Sequence, residues 1–421
     1  MSTTYNLTIK STDTSGSFKV TPFQIISEET NVDKPNYMFG RQNGTGNTII
    51  YRSKDGLTWL NTNVTGYWFN PTYGDQKWMW LRFDTLSGST PQSPLYYSLT
   101  TDGITFTSYT FPEAVLSGQY PVWVKDRWVY IGASSKKILT SLDGISWTAS
   151  TSRVPTNDGM LTGTTGMPYN MSHFGFSSSG EIALLSAIDV GATTSNASTT
   201  FNYLHLSKDF GVTWLSVSTA NAGGGLTSCI YAPFKMGQFW MVGTLSSTGN
   251  TEIKYFYFDG TSPYLADTQN TATNSLAAFT STRWTSPYVI NGIAFFPIYQ
   301  QYDTTLTNVA SQTSSIRLAL GGPVAPYTFT RILSNYLGGT SELKSVCSTA
   351  NGISHVVFCG RGPKIFASKI IEYSATSTTN ANKIKISVDN GVTFNDLDTV
   401  SGISGLPTIW TGLMGIACAY D

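Results

Sequence analysis

The sequence predicts an all-β fold, a ring of repeated four-stranded antiparallel sheets, and three observations predict it: a recurring turn motif, a strand-forming composition, and a regular strand rhythm. The motif reads Ser/Thr-x-Asp-(x)-Gly-x-Thr/Ser-Trp/Phe. Its five copies are Ser53-Lys54-Asp55-Gly56-Leu57-Thr58-Trp59, Thr100-Thr101-Asp102-Gly103-Ile104-Thr105-Phe106, Ser141-Leu142-Asp143-Gly144-Ile145-Ser146-Trp147, Ser207-Lys208-Asp209-Phe210-Gly211-Val212-Thr213-Trp214 and Ser387-Val388-Asp389-Asn390-Gly391-Val392-Thr393-Phe394. This spacing closes a turn: Asp accepts nearby backbone N–H groups, Gly supplies positive φ, and the hydroxyls bond locally. The aromatic that follows packs into the sheet. The five Asp residues are therefore read as structural and not as general acids.

Composition agrees. Of 421 residues, 40% are hydrophobic, 13% aromatic and only 12% charged, which describes a folded β protein rich in Tyr, Trp, Phe, Ser, Thr and Gly. Because repeated units share one continuous core, a single domain is expected over residues 31–421. Lys plus Arg and Asp plus Glu are both 25, and no basic run could neutralise phosphates, so nucleic acid is excluded as a partner. The start, Met1-Ser2-Thr3-Thr4-Tyr5-Asn6-Leu7-Thr8, has neither a basic nor an apolar signal region, and no window has the length of a membrane span. A protein made in a cytoplasm is expected.

The strand rhythm is clearest from Pro121 to Ser150, where Val122–Val124, Trp128–Ile131, Ile138–Thr140 and Trp147–Ala149 alternate with short polar turns. It is a four-stranded meander. The same order recurs over Trp68–Thr110, Met171–Ser218 and Lys344–Leu397. Cys229–Thr268 and Ser286–Leu333 keep the rhythm without the motif; Phe258-Asp259-Gly260-Thr261 is a decayed copy, and Leu320-Gly321-Gly322-Pro323 stands in its place. With the first copy near Asp55 the count is seven, and radial packing gives a seven-bladed β-propeller. Six and eight blades remain open. Residues 405–420 resemble the first two strands of a blade with nothing after them, so they are expected to complete the first blade. Residues 1–30, with apolar runs at Tyr5–Ile9 and Phe18–Phe23, are left as an N-terminal hairpin or arm.

In a meander the first-to-second and third-to-fourth turns share one rim. The motif copies are third-to-fourth turns, and tight turns such as Gly74-Asp75-Gln76, Ser178-Ser179-Gly180, Asn291-Gly292 and Asn351-Gly352 join them there. The long segments Thr85–Ser93, Arg153–Tyr169, Val190–Thr200, Asp303–Ser314 and Arg361–Asn382 fall on the other rim, where a scaffold carries its binding function. Within the last of these, Lys364, Phe366, Lys369, Glu372 and Tyr373 belong to a mixed apolar and charged run. It reads either as an extra hairpin contacting a partner or as a strand packed on its own blade.

Cys229, Cys347, Cys359 and Cys418 lie singly in apolar runs without zinc spacing, and read as buried thiols. A Cys347–Cys359 disulfide across Asn351-Gly352 is the alternative. His173, His205 and His355 lack any metal or nucleophile motif and read as packed strand residues. No metal and no cofactor are expected.

The turn motif resembles the Asp-box, or BNR, repeat of the sialidase-like propeller families, with Ser207 to Trp214 the complete match and three copies one residue short. That resemblance implies a propeller more strongly than an activity, since the box occurs in glycosidases, receptor ectodomains, assembly factors and phage virion proteins. Sialidases of that group carry an arginine triad, a Tyr/Glu pair and an Asp acid, introduced by Phe/Tyr-Arg-Ile-Pro. No segment here matches; Arg41 in Gly40-Arg41-Gln42 lacks the Ile-Pro context. Arg82, Arg283 and Arg317, with Asp84, Asp189, Asp303 and Glu372, are what a glycosidase reading would use, given two carboxyl groups roughly 5–9.5 Å apart. The blades also resemble in style the propellers of tailed-phage virion proteins. The expected function is non-enzymatic: a bacteriophage virion or surface-assembly protein, present in many copies, showing its long-loop rim to another virion protein or a host glycan. The alternative is a sialidase-like or other glycoside hydrolase acting at that rim.

Overall fold

In this computed structural model the described residues are 34–43, 46–83, 95–116, 120–155, 174–186, 203–218, 233–236, 239–245, 252–258, 263–270, 288–291, 293–297, 315–321, 328–334, 354–371, 384–391, 393–408 and 413–419. The chain divides into two compact units, Met1–Asp33 and Lys34–Asp421. The first contains the expected arm and lies outside the described residues.

Within residues 34–421 the chain forms strands in runs that the turns interrupt. The strands are β1 (Tyr37–Asn43), β2 (Asn47–Ser53) and β3 (Leu60–Thr65); β4 (Tyr67–Gly74), β5 (Lys77–Phe83), β6 (Tyr96–Thr100) and β7 (Thr107–Thr110); and β8 (Val122–Val124), β9 (Arg127–Ile131), β10 (Lys137–Ser141) and β11 (Thr148–Arg153). There follow β12 (Phe174–Phe176), β13 (Ile182–Ser186), β14 (Tyr203–Ser207) and β15 (Leu215–Ser218), then β16 (Phe234–Met236), β17 (Phe239–Leu245), β18 (Glu252–Phe258) and β19 (Pro263–Asn270). The remainder are β20 (Tyr288–Ile290), β21 (Ile293–Pro297), β22 (Ser315–Gly321) and β23 (Thr328–Ser334); β24 (Ser354–Arg361), β25 (Lys364–Ile371), β26 (Lys385–Ser387) and β27 (Asn395–Asp396); and β28 (Leu413–Cys418).

Among the described residues these make seven four-stranded antiparallel sheets. Six are sequential meanders, and the seventh has the order β28-β1-β2-β3. The first strands touch one another in turn, β28 with β4, β4 with β8, β12 with β16, β16 with β20, β20 with β24 and β24 with β28. Successive sheets thus radiate from a centre lined by their first strands. The fold is an all-β propeller of four-stranded antiparallel blades.

Side-chain alternation explains how one strand serves two cores. On β1, Phe39 packs with Phe366 and Ile386 of the preceding blade, while its neighbour Met38 packs with Trp68, Trp78 and Trp80 of the following one. On β9, Tyr130 joins Phe69, Tyr97 and Phe111, whereas Val129 joins Phe174, Ile182 and Leu184. Second strands are covered on both faces, so they read as unbroken apolar runs: Trp78, Met79, Trp80 and Leu81 are all buried, as are Trp128 to Ile131. Full burial of each such side chain is worth about 1.5–3 kcal/mol. Fourth strands are the outer edges and read differently. β3 (LNTNVT) and β7 (TSYT) are exposed and hydroxyl- or amide-rich, which suits an edge that must not recruit another strand.

Two expectations need correction. The C-terminal segment supplies one strand of the first sheet and not two, because β1 already fills the second position; Tyr37 pairs with Cys418 and Phe39 with Ile416. The stretch from Arg361 does not open a long segment on the rim opposite the motif turns. Gly362-Pro363 is the turn between β24 and β25, with Arg361 opposite Lys364 and Cys359 opposite Phe366. Asn351-Gly352 lies outside the described residues. The connection on the opposite rim therefore begins only after Ile371.

Candidate functional site

Each Asp-Gly turn is built from the same bonds. The first-position hydroxyl donates to the Asp Oδ1, at 3.0 Å for Ser53 and Thr100, 2.9 Å for Ser141, 2.8 Å for Ser207 and 2.7 Å for Ser387. The same hydroxyl oxygen accepts the glycine N–H at 2.7–2.9 Å. In the three shorter turns Asp Oδ1 accepts two successive N–H groups, for Asp143 those of Ile145 and Ser146 at 2.7 and 2.8 Å. The two longer turns add a residue in left-handed backbone, Phe210 (φ 55°) and Asn390 (φ 57°). There the Thr hydroxyl donates to the second carboxylate oxygen, at 2.5 Å for Thr213 and 2.7 Å for Thr393. Phe210 offsets its strain by lying beneath the Arg127 guanidinium, 4.4 Å from the ring centroid.

These bonds decide the chemistry of the carboxylates. Partial burial pushes the Asp143 carboxyl up, but the N–H groups of Ser146 and Ile145 and the Ser141 hydroxyl outweigh it and hold the carboxyl down at about 2. Asp55, Asp102 and Asp209 are lowered against the same burial effect by the same kinds of donor. An acid that must carry a proton near neutral pH cannot be made this way.

The turns also fasten blades together. At three of the motif glycines an added Cβ would crowd the preceding blade, Gly56 against Phe366, Gly103 against Met38 and Gly211 against Ile138; at Gly144 it would first meet Trp128 Nε1 of its own blade, at 3.2 Å. Lys77, which opens β5, donates to the Asp143 carbonyl at 3.2 Å, and Tyr97 Oη donates to the Gly144 carbonyl at 2.7 Å. Lys364, which opens β25, makes the equivalent bond to the Asp55 carbonyl. Asn291 Nδ2 donates to Asn390 Oδ1 at 3.1 Å. Of the aromatics that close the motif, Trp59 is buried against Phe39 and Phe366, and the half-buried Trp147 packs against Tyr97, Phe111 and Tyr130. Phe106 meets Trp68 edge-on, and Trp214 packs on the β8–β13 core.

The residues named for partner binding fare differently. Phe366 is wholly buried between Tyr37 and Trp59, so it is a core residue. Lys364 is occupied on the turn rim. β25 contains Lys369; Glu372 and Tyr373 lie outside the described residues, as do Asp84, Asp189, Asp303, Arg283, His173, Cys229 and Cys347. Arg41 hydrogen-bonds Tyr51. Arg82 lies 5.5 Å from the Trp68 ring centroid and donates to Ser108 Oγ at 2.6 Å. Arg317 falls on β22 and His355 on β24. His205 is buried with Nδ1 2.8 Å from Ser216 Oγ, a packed strand residue. Cys359 is a free thiol, and its neighbour is Cys418. Among the described residues no three His, Cys, Asp or Glu side chains group as metal ligands.

The opposite rim is tied at the links between consecutive blades. Glu113, in the link from β7 to β8, accepts the N–H groups of Ser134 and Ser135 at 3.0 and 2.9 Å. Thr48 Oγ1 donates to the Gly66 carbonyl and accepts the Trp68 N–H. Strands flanking 84–94, 187–202, 298–314 and 372–383 all end at this rim. The cross-blade bonds of the turn rim, invisible to a reading of single segments, are what sequence reasoning missed.

No protein-family model matches the chain, and no curated protein matches it by sequence. Among solved structures, Citrobacter koseri AztD is 9% identical with a TM-score of 0.41, over 90% of this chain and 97% of that one. Virginiamycin B lyase from Staphylococcus aureus is 10% identical with a TM-score of 0.41, over 80% and 92%. A streptogramin B lyase is 10% identical with a TM-score of 0.39, over 78% and 82%.

Proposed function

We propose that this chain is a non-enzymatic, seven-bladed propeller of a virion or comparable surface assembly, and that it meets its partner through the rim opposite the Asp-Gly turns. The observation that supports this is the asymmetry between the rims. Turn-rim carboxylates and cations are used in closing turns and joining blades, whereas the strands bounding the long connections all end at the other rim. Binding function gathers where a scaffold lengthens its connections. The partner is a neighbouring protein of the same particle or a host glycan, held by polar and aromatic side chains of those connections.

The test replaces residues 303–314, between β21 and β22, by a short Gly/Ser link. Incorporation into particles, or retention on a glycan array, is expected to fall at least tenfold while the thermal midpoint stays unchanged. Hydrolysis of sialosides or other glycans by the purified chain at ordinary enzymatic rates sinks the reading, as does full binding by the shortened chain.

A further inference from the structure

The blade that closes the ring is made from two distant parts of the chain, and a pair of thiols lies where its C-terminal strand meets the blade before it. β28 is the first strand of the closing blade; β24 is the first strand of the blade before it, and the two pack side by side. Cys418 on β28 and Cys359 on β24 are both buried, in one core with Tyr37, Phe39 and Phe366. Cys418 donates its S–H to the Gly360 carbonyl at 3.0 Å, immediately beside Cys359, and the Cys359 thiol hydrogen-bonds Cys418. Neither sulfur is tied to a metal cluster among the described residues. Nothing in the turn bonds or the rim asymmetry requires two cysteines here.

We propose that Cys359 and Cys418 form a latent disulfide, closed by hydrogen peroxide, that ties the ring-closing strand β28 covalently to β24 of the blade before it. One thiol takes an oxygen from the peroxide, becoming a sulfenic acid as one water leaves. The second thiol attacks that sulfur, the S–S bond forms, and the sulfenic oxygen departs as a second water. Two electrons and two protons thus pass from the thiols to the peroxide. Burial raises the Cys359 thiol, and its bond to Cys418 raises it further, so little thiolate is present at neutral pH. The reaction is therefore slow in the closed ring and waits on opening of the seam. Once made, the bond closes a loop that takes in β25 to β27, and closing a loop of that length restricts the unfolded chain. The inference goes beyond the partner-binding reading and does not rest on it.

The experiment uses the full chain, reduced and then exposed to excess peroxide, alkylated, digested without reductant and examined by mass spectrometry. One linked peptide pair joining Cys359 to Cys418 is expected. It should disappear in Cys418→Ala and persist in Cys229→Ala and Cys347→Ala. The oxidised wild-type chain should melt several degrees higher than the reduced chain and return on adding a thiol reductant. A link from Cys359 to Cys347 overturns the proposal, and so does a folded chain whose two thiols stay reduced or go to sulfinic acids without linking. The wild-type peptide map decides between these outcomes even if Cys418→Ala fails to fold.

Discussion

On one rim, Asp143 gives its carboxylate to donors of its own turn and its carbonyl to Lys77 of the blade before it. On the other, Glu113 gives its carboxylate to Ser134 and Ser135 of the blade that its own link enters. Both are carboxylates that accept backbone N–H groups, yet only the first sits in a structure that bonds to the neighbouring blade. Among the described residues the turn rim is thereby a belt in which blades clasp their neighbours, and its sequence is constrained by two blades at once. On the other rim the described ties belong to the links between consecutive blades, Glu113 with Ser134 and Ser135 and Thr48 with the Trp68 N–H. Residues 84–94, 187–202, 298–314 and 372–383 each join two strands of one blade, where a change of length need not disturb a neighbour. Freedom to vary on one side and obligation on the other follow from the same meander.

The largest test of that contrast strikes where the belt meets the core. Trp59→Ala empties a site enclosed by Phe39 and Phe366 and should cost about 3–5 kcal/mol, read from denaturant midpoints. A loss near 1 kcal/mol would show that the first turn is dispensable to the seam. Gly211→Ala comes next: its φ is +84°, and the new Cβ would lie 2.5 Å from Ile138 Cγ1 of the preceding blade. About 3 kcal/mol is expected from strain and overpacking together. In an Ile138→Ala background, itself less stable, the further cost of Gly211→Ala should lose its overpacking share and keep its strain.

Asp143→Ala removes one turn's acceptor while leaving its N–H groups open to water, so about 1 kcal/mol should be lost at neutral pH. Its pH dependence has a definite sign. The folded carboxyl sits at about 2 against an ordinary 3.8, so its contribution is complete above about pH 4 and fades as pH falls through 2. Thermal midpoints of wild type and Asp143→Ala should converge over that interval; a constant gap down to pH 2 would remove the carboxylate from the account. Smallest of all, Lys77→Met loses a part-exposed amine that bonds the Asp143 carbonyl and the Asp75 carboxylate. A change under about 0.5 kcal/mol is expected, since such pairs are screened. If it exceeded the Asp143→Ala effect, the clasp between blades would outweigh the turn it holds.

Much of this architecture could be read from local signals. The meander from Pro121 to Ser150 was legible because Trp128–Ile131 is apolar on both faces and Lys125-Asp126 and Asp143-Gly144 punctuate it; β8 to β11 follow that reading closely. The blade from Ser354 onward was not, and for a physical reason. Asn-Gly is the strongest short hairpin signal, so Asn351-Gly352 drew the first turn to itself, while Gly362-Pro363 carries no such signature. Alternation alone could not say whether Lys364–Ile371 pairs with its own blade or with a partner; the burial of Phe366 between Tyr37 and Trp59 decides it, and both partners lie on another blade. The same holds for Lys77 with Asp143 and for Cys359 with Cys418. Contacts between residues that share no segment leave no trace in a single sequence.

The pairing of β28 with β1 sets an order in time as well as in space. β1 leaves the ribosome before any other strand of the ring, yet the inner edge it offers has no partner until β28 has been made. Throughout synthesis the first blade therefore holds an open row of N–H and C=O groups, able to accept a strand from a second nascent chain on the same message. A chain stopped short of Leu413 would keep that edge permanently, and such a product is expected to be sticky where the finished one is closed.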